Sequence, residues 1–278
     1  MLQRTGRCSA SYYKNIIKPL VKLQTCGLQN DSTADKTEVK HFNQIRTGWW
    51  DEMGAVKPLH SMNKLRVPLI REGLINTGLI QKNFISTPKP LTNLKILEVG
   101  CGGGILTEAL ARLGCCITGI DVAGELLEIA KEHSASHPSR ENINYQLTTI
   151  EKFAETNVEQ FDAVVASEVL EHVDHQEQFV EACVRCLKPG GSIFLTTINQ
   201  NLLSWFLVVP VAESILRLVP KGTHHYDKFI SPHRTQKFLE HNNCRTRLVH
   251  GFFYNVLTNT WFWTSNTVVH YAMHAVKL

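Results

Sequence analysis

Glu168, Glu171 and His172 stand at i, i+3 and i+4, a spacing that puts two carboxylates and an imidazole on one face of a helical turn. Such a donor set suits a divalent cation: Mg²⁺ loosely, Mn²⁺ or Zn²⁺ more naturally, because one ligand is nitrogen. Without a metal, His172 could serve as general base, which makes Glu168 and His172 the candidate catalytic pair. The same spacing also describes a solvated, capped helix start, so the pattern alone leaves both readings open.

A second constellation lies upstream. Gly100, Gly102, Gly103 and Gly104 place four glycines in five residues. The run Leu94 to Val99 before them carries alternating aliphatic residues and predicts a buried strand; Ile105 to Leu113 after them has apolar residues at helical spacing. Strand, glycine turn and helix let a ligand approach the main chain at a helix N-terminus. Cys115 to Ile120 predicts a second strand, and it ends in Asp121, placed to accept hydrogen bonds from two ribose hydroxyls. A dinucleotide fingerprint would need glycine at 105 or 107, where the chain has Ile105 and Thr107, so the pyrophosphate reading fails. An acid two residues before the first glycine, here Glu98, then Gly-x-Gly-x-Gly and a ribose-binding acid, resembles the class I methyltransferases that use S-adenosylmethionine.

Other elements must bring these groups together. Ile143 to Leu147 predicts a third strand, followed by Thr149, Ile150 and Glu151, where Ile150 would pack on an adenine face. Phe161 to Ala166 predicts a fourth strand that opens directly onto Ser167 and Glu168. In open parallel sheets ligands bind outside the carboxyl ends of the strands, so these residues should face the cofactor. Ser192 to Ile198 predicts a fifth strand after a Lys188-Pro189-Gly190-Gly191 turn, and Arg247 to Val276 reads as closing strands with an aromatic loop. Ahead of the sheet, Trp49, Trp50, Met53, Leu59 and Leu65 look like a helical lid, although buried aromatics alone would give the same composition. Arg66 lies in that segment. Its guanidinium could pair bidentately with the methionine carboxylate of the cofactor, or form an ordinary surface ion pair.

The chain has 278 residues, 43% hydrophobic, enough for one sizeable core with an appended cap. The formal charge of +4 is concentrated at the start: residues 1–30 hold Arg4, Arg7, Lys14, Lys18 and Lys22 and no acid. The remainder is close to neutral, so no nucleic-acid-binding face is indicated. Lys14, Lys18 and Lys22 recur every four residues opposite Tyr13, Ile16, Ile17 and Leu20, a basic amphipathic helix that reads as a mitochondrial transit peptide, with residues 1–35 as peptide and linker. The eight cysteines are scattered, which predicts free thiols, and Cys183 and Cys186 read as packing and not as half of a zinc site. Residues 200–224 interrupt the strand–helix alternation with a broad apolar face broken by Pro210, Glu213 and Arg217, too charged for a spanning helix. That segment fits an interfacial helix on a bilayer or a lid over the active site.

Gly48-Trp49-Trp50-Asp51, Lys57 to His60, Asn63 to Arg66, Glu98 to Leu106, Glu168 to Val173, Leu187 to Gly191, Arg217 to His224 and Tyr254 to Thr260 together resemble the ubiquinone biosynthesis O-methyltransferase family in its mitochondrial branch. The similarity runs from about His41 to the C-terminus. It implies a Rossmann-like α/β fold with a mostly parallel seven-stranded sheet, helices on both faces, a helical cap over residues 36–90 and a methyltransferase domain over 91–278. Arg66, Gly100, Asp121 and Ser167 would bind S-adenosylmethionine, with Gly102 and Ile150 beside them, and Glu168, Glu171 and His172 would hold a divalent metal, Mg²⁺ first. The implied reaction methylates ring hydroxyls of polyprenyl dihydroxybenzoate and polyprenyl benzoquinol, where a metal-held phenolate would be the nucleophile. The implied setting is peripheral, on the matrix side of the mitochondrial inner membrane, within a multi-subunit coenzyme Q biosynthetic complex. A methyltransferase for another catechol-like molecule and a cofactor-binding scaffold are the alternatives.

Overall fold

The computed structural model describes residues 48–200 and 229–278. The basic N-terminal segment and the 200–224 insertion, with His224, His225, Tyr226 and Lys228, lie outside the described residues apart from Gln200. Eight strands form one sheet: β1 (Lys95–Val99), β2 (Cys116–Asp121), β3 (Ile143–Leu147), β4 (Phe161–Ser167), β5 (Leu187–Ile198), β6 (Cys244–Asn255), β7 (Thr260–Thr264) and β8 (His270–Lys277). Their order is β3-β2-β1-β4-β5-β8-β6-β7. The first five pair in parallel and the last three join antiparallel. Eight strands instead of seven result from a hairpin: Tyr254↔Trp261 and Asn255↔Thr260 pairing turns part of the expected aromatic loop into β7 on the sheet's edge.

Among the described residues six α-helices flank the sheet: α1 (Lys57–Asn76), α2 (Ile105–Arg112), α3 (Gly124–Ala135), α4 (Ile150–Thr156), α5 (Gln176–Cys186) and α6 (Pro232–His241). The period-two alternation of the strands divides the core between them. Ile96, Ala163, Val165 and Phe194 pack with Ile70 and Leu74 of α1 and Leu106 and Leu110 of α2. Their neighbours Leu97, Val164, Ala166 and Leu195 point the other way, onto Phe153 of α4, Phe179 of α5 and Phe238 of α6. Ser231 caps α6, its Oγ accepting from the Arg234 amide at 3.3 Å, as Ser231-Pro232 predicts. Among the described residues all cysteines are free thiols, in agreement with their scatter. No helix among these residues is long and apolar enough to cross a membrane.

Strand register fixes where the site falls. Val99 lies beside Ile120 and Ala166, Asp121 beside Leu147, and Ser167 beside Thr196. The carboxyl ends of β1, β2, β4 and β5 therefore open on one edge.

Candidate active site

Gly100 continues directly from β1 with φ +72°. A Cβ there would lie 2.5 Å from Val169 Cγ2, so only glycine fits both the backbone and the space. Beyond it the Gly102 amide donates to Asp121 Oδ2 at 2.7 Å, and the Ala123 amide donates to Oδ1 at 2.8 Å. These two bonds hold the carboxylate at the end of β2, each oxygen keeping a lone pair for a further donor. Burial raises the Asp121 pKa, and the backbone amides of Ala123, Gly102 and Val122 work against that shift. Glu98 sits one layer deeper, 4% exposed, with the Thr107 hydroxyl donating to its Oε2 at 2.5 Å. Desolvation pushes its pKa to about 7 against the pull of Thr107 and Arg66.

Arg66 comes to the same edge from α1. Its Nη1 donates to Ser167 Oγ at 3.1 Å, Nη2 to the Leu59 carbonyl at 2.9 Å, and Nη2 and Nε both to Asn63 Oδ1 at 2.6 and 3.1 Å. Those bonds engage four of the guanidinium's five N–H groups. One Nη1 hydrogen is left, so the fork that the sequence offered for bidentate pairing is already engaged within the protein. Burial lowers the Arg66 pKa to about 10, with Glu98 and Glu168 opposing, and the group stays cationic at neutral pH.

Glu168 departs from the expected helical turn. Its amide donates to the Thr196 carbonyl at 2.9 Å, which extends the β4–β5 ladder one residue, and the chain then reverses at Glu168 with φ +58°. Only Leu170–His172 form a turn of 3₁₀ helix. The three side chains are thus not on one regular helical face. Glu171 is 5% exposed and accepts the Thr197 hydroxyl on Oε2 at 2.6 Å. Burial first and Glu171 second hold the Glu168 carboxyl above the usual range, while a hydrogen bond to Thr196 and the charges of Arg66 and His172 pull it down. Glu168 Oε1 is buried without a hydrogen-bond partner.

A half-buried and a buried carboxylate in mutual repulsion, the first with an orphaned oxygen, beside an imidazole, fit a divalent cation by donor chemistry. The side chains do not close on one point: among the described residues, the group whose ligand atoms all lie within 4.8 Å of one another is Glu108, His133 and His137. Ile150, the first residue of α4 after the Thr149 cap, is 3% exposed and belongs to the core, at the end of β3 as expected.

Sequence reasoning missed Asn63, Thr196 and Thr197. Two adjacent hydroxyls ending the otherwise aliphatic run Ile193-Phe194-Leu195 were the available signal, since buried hydroxyls need partners. It also underread Trp49, whose ring lies on the glycine loop: a Cβ at Gly103 would be 2.2 Å from the indole.

Residues 97–195 match the methyltransferase domain family. The chain is 46% identical over 249 residues to the ubiquinone biosynthesis O-methyltransferase, mitochondrial, of Homo sapiens, covering 89% of this chain and 66% of that protein. It thus spans slightly less than two thirds of that relative, and the same share of the one from Mus musculus. The ubiquinone biosynthesis O-methyltransferase of Klebsiella pneumoniae (strain 342) is 38% identical and covered over 93% of its length. In fold, the chain is similar to a magnesium protoporphyrin IX methyltransferase from Synechocystis PCC 6803, solved with bound SAH, at a TM-score of 0.59 and 17% identity, covering 88% of this chain and 100% of that one. The glycine loop, its paired Asp121 and identities of 38–46% over at least 86% of the chain agree, and the chain belongs to the ubiquinone biosynthesis O-methyltransferase family.

Proposed function

We propose that this chain transfers a methyl group from S-adenosylmethionine to a ring hydroxyl of a polyprenylated dihydroxybenzoate, and of a polyprenyl benzoquinol. The observation that carries the reading is the convergence of Asp121, Arg66 and Glu168 on one sheet edge beside the glycine loop, in a chain whose relatives are named ubiquinone biosynthesis O-methyltransferases. Asp121 accepts ribose hydroxyls, Arg66 offers its remaining Nη1 hydrogen and its charge to the methionine carboxylate, and Ile150 edges the adenine. Gly100 and Gly102, both at positive φ, turn the main chain towards the helix N-terminus where the ligand lies. In-line displacement at the methyl carbon needs the nucleophilic oxygen about 3–3.5 Å away, so positioning supplies much of the rate. In the metal-free site His172 receives the phenolic proton, and Glu168 and Glu171 set the electrostatics around it. A divalent ion held by Glu168, Glu171 and His172 would, when bound, lower the pKa of the phenol.

The mitochondrial names of the animal relatives and the acid-free, basic segment 1–30 support a mitochondrial setting. The apolar prenyl tail supports peripheral membrane contact through residues 204–219, and a multi-subunit coenzyme Q biosynthetic complex is part of the same proposal. The test is incubation with labelled methyl donor and a prenylated catechol, then mass spectrometry of the lipid extract. A gain of one methyl, lost in Glu168→Ala and His172→Ala, supports the reading. Preference for a soluble catechol, or methylation unchanged in both variants, contradicts it.

A further inference from the structure

We propose that Glu108, His133 and His137 form a binding site for one divalent cation of the zinc class, apart from the Glu168 group. Glu108 lies on α2 and is fully buried; His133 is in the last turn of α3 and His137 follows just past the Ser136 cap, where the two imidazoles stack on one another beside the carboxylate. Glu108 Oε1 is 2.7 Å from His133 Nδ1. Its Oε2 is buried with no hydrogen-bond partner and stands 3.9 Å from His137 Nδ1, which also lies 3.0 Å from the His133 carbonyl and 3.2 Å from Ser136 Oγ, so binding an ion requires that ring to present its other nitrogen or to give up the carbonyl bond. A proton on His133 satisfies one carboxylate oxygen and leaves the other orphaned. A cation shared by all three groups neutralises the carboxylate and draws on both imidazoles.

The spacing supports this. Tetrahedral zinc with bonds of about 2.0–2.1 Å separates its ligand atoms by about 3.4 Å. The ligand atoms of the three side chains already lie within 4.8 Å of one another, so side-chain rotations that bring one Glu108 oxygen and one nitrogen of each ring to that spacing close the site. The histidine side chains are 28% and 36% exposed, which gives an ion a way in from solvent and leaves room for water as a fourth ligand. The rings are already ordered: His133 and His137 stack at 4.6 Å, and Trp50 stacks on His133 at 3.4 Å and 4°. Two nitrogens and one carboxylate oxygen select Zn²⁺ over Mg²⁺ or Ca²⁺. A bound ion would tie α2, which begins at the glycine loop, to α3 and, through Trp50, to the start of the lid.

The test uses the full chain carrying Glu168→Gln, stripped with chelator, against the same chain with His137→Asn added. Zn²⁺ is titrated by competition with a chromophoric chelator, and retained metal is counted after gel filtration. The expected result is one Zn²⁺ fewer per chain, or at least about a tenfold weaker affinity, in the His137→Asn chain, with a Zn²⁺-dependent rise in melting temperature that only the parent shows. His137→Asn changes a partly exposed residue, and circular dichroism checks that it folds; His133→Asn serves if it does not. Equal zinc number and affinity in both chains, or no retained zinc in either, overturns the proposal.

Discussion

Arg66 Nη1 donates to Ser167 Oγ at 3.1 Å, and this bond fastens α1 to the carboxyl end of β4 across 101 residues of chain. The guanidinium therefore joins α1 to the sheet edge. Arg66→Lys keeps the charge but cannot span Ser167, Asn63 and Leu59 with one planar group. The expected outcome is a loss of about 1.5–3 kcal/mol in donor binding, roughly 10–100-fold in Kd. Ser167→Ala should cost no more than about 1.5 kcal/mol. Titration calorimetry of both variants checks the ordering, and a Lys variant that binds like the parent contradicts it.

Trp49 presses on the glycine loop where Gly103 leaves no side chain. Gly103→Ala pushes a methyl group into the indole and should destabilise the folded lid by about 1–3 kcal/mol. Trp49→Ala removes the clash, so the double variant should recover part of the loss, with a coupling energy above about 0.5 kcal/mol. Strict additivity in denaturant unfolding would break the link between lid and loop.

Gly73 provides the same service on α1. A Cβ there would meet the Phe194 ring at 2.5 Å, and Phe194 stacks in turn on His274 at 4.3 Å. Gly73→Ala should destabilise by about 1–3 kcal/mol although alanine favours helices. A thermal melt that is unchanged or higher contradicts this packing.

His270 and His274 are buried in β8, and burial holds both near pKa 4, assisted at His274 by Arg247. Both are neutral at pH 7. The unfolded chain, with histidine near 6.5, binds protons first as the pH falls, so folding stability is lost between about pH 6.5 and 4 and is flat above. At pH 5 the loss should approach about 2 kcal/mol for each histidine. Denaturant unfolding at pH 7.5 and 5 measures it, and His274→Asn should flatten the slope.

The part of the site legible in sequence is the part that is local in sequence. β1, the glycine turn, α2 and Asp121 lie within 27 residues, and each carries its own periodicity or turn signal. Ser167 was placed because β4 ends there. The Asn63 clamp on Arg66 and the Thr196 and Thr197 hydroxyls were not visible, since they depend on how α1 and β5 meet the sheet. Neither was the left-handed Glu168, because its conformation comes from a ladder bond to Thr196 and not from its own type. Glu108 and His133 are separated by 25 residues on different helices, so packing alone brings them together.

The most direct test of the central claim is isothermal titration of S-adenosylmethionine and S-adenosylhomocysteine into the purified chain. Saturable heat at one ligand per chain, strongly reduced by Asp121→Ala and by Arg66→Ala, is the predicted result. No heat from either ligand in a folded sample, or equal heat in the two variants, would contradict the assignment of this sheet edge as the methyl-donor site.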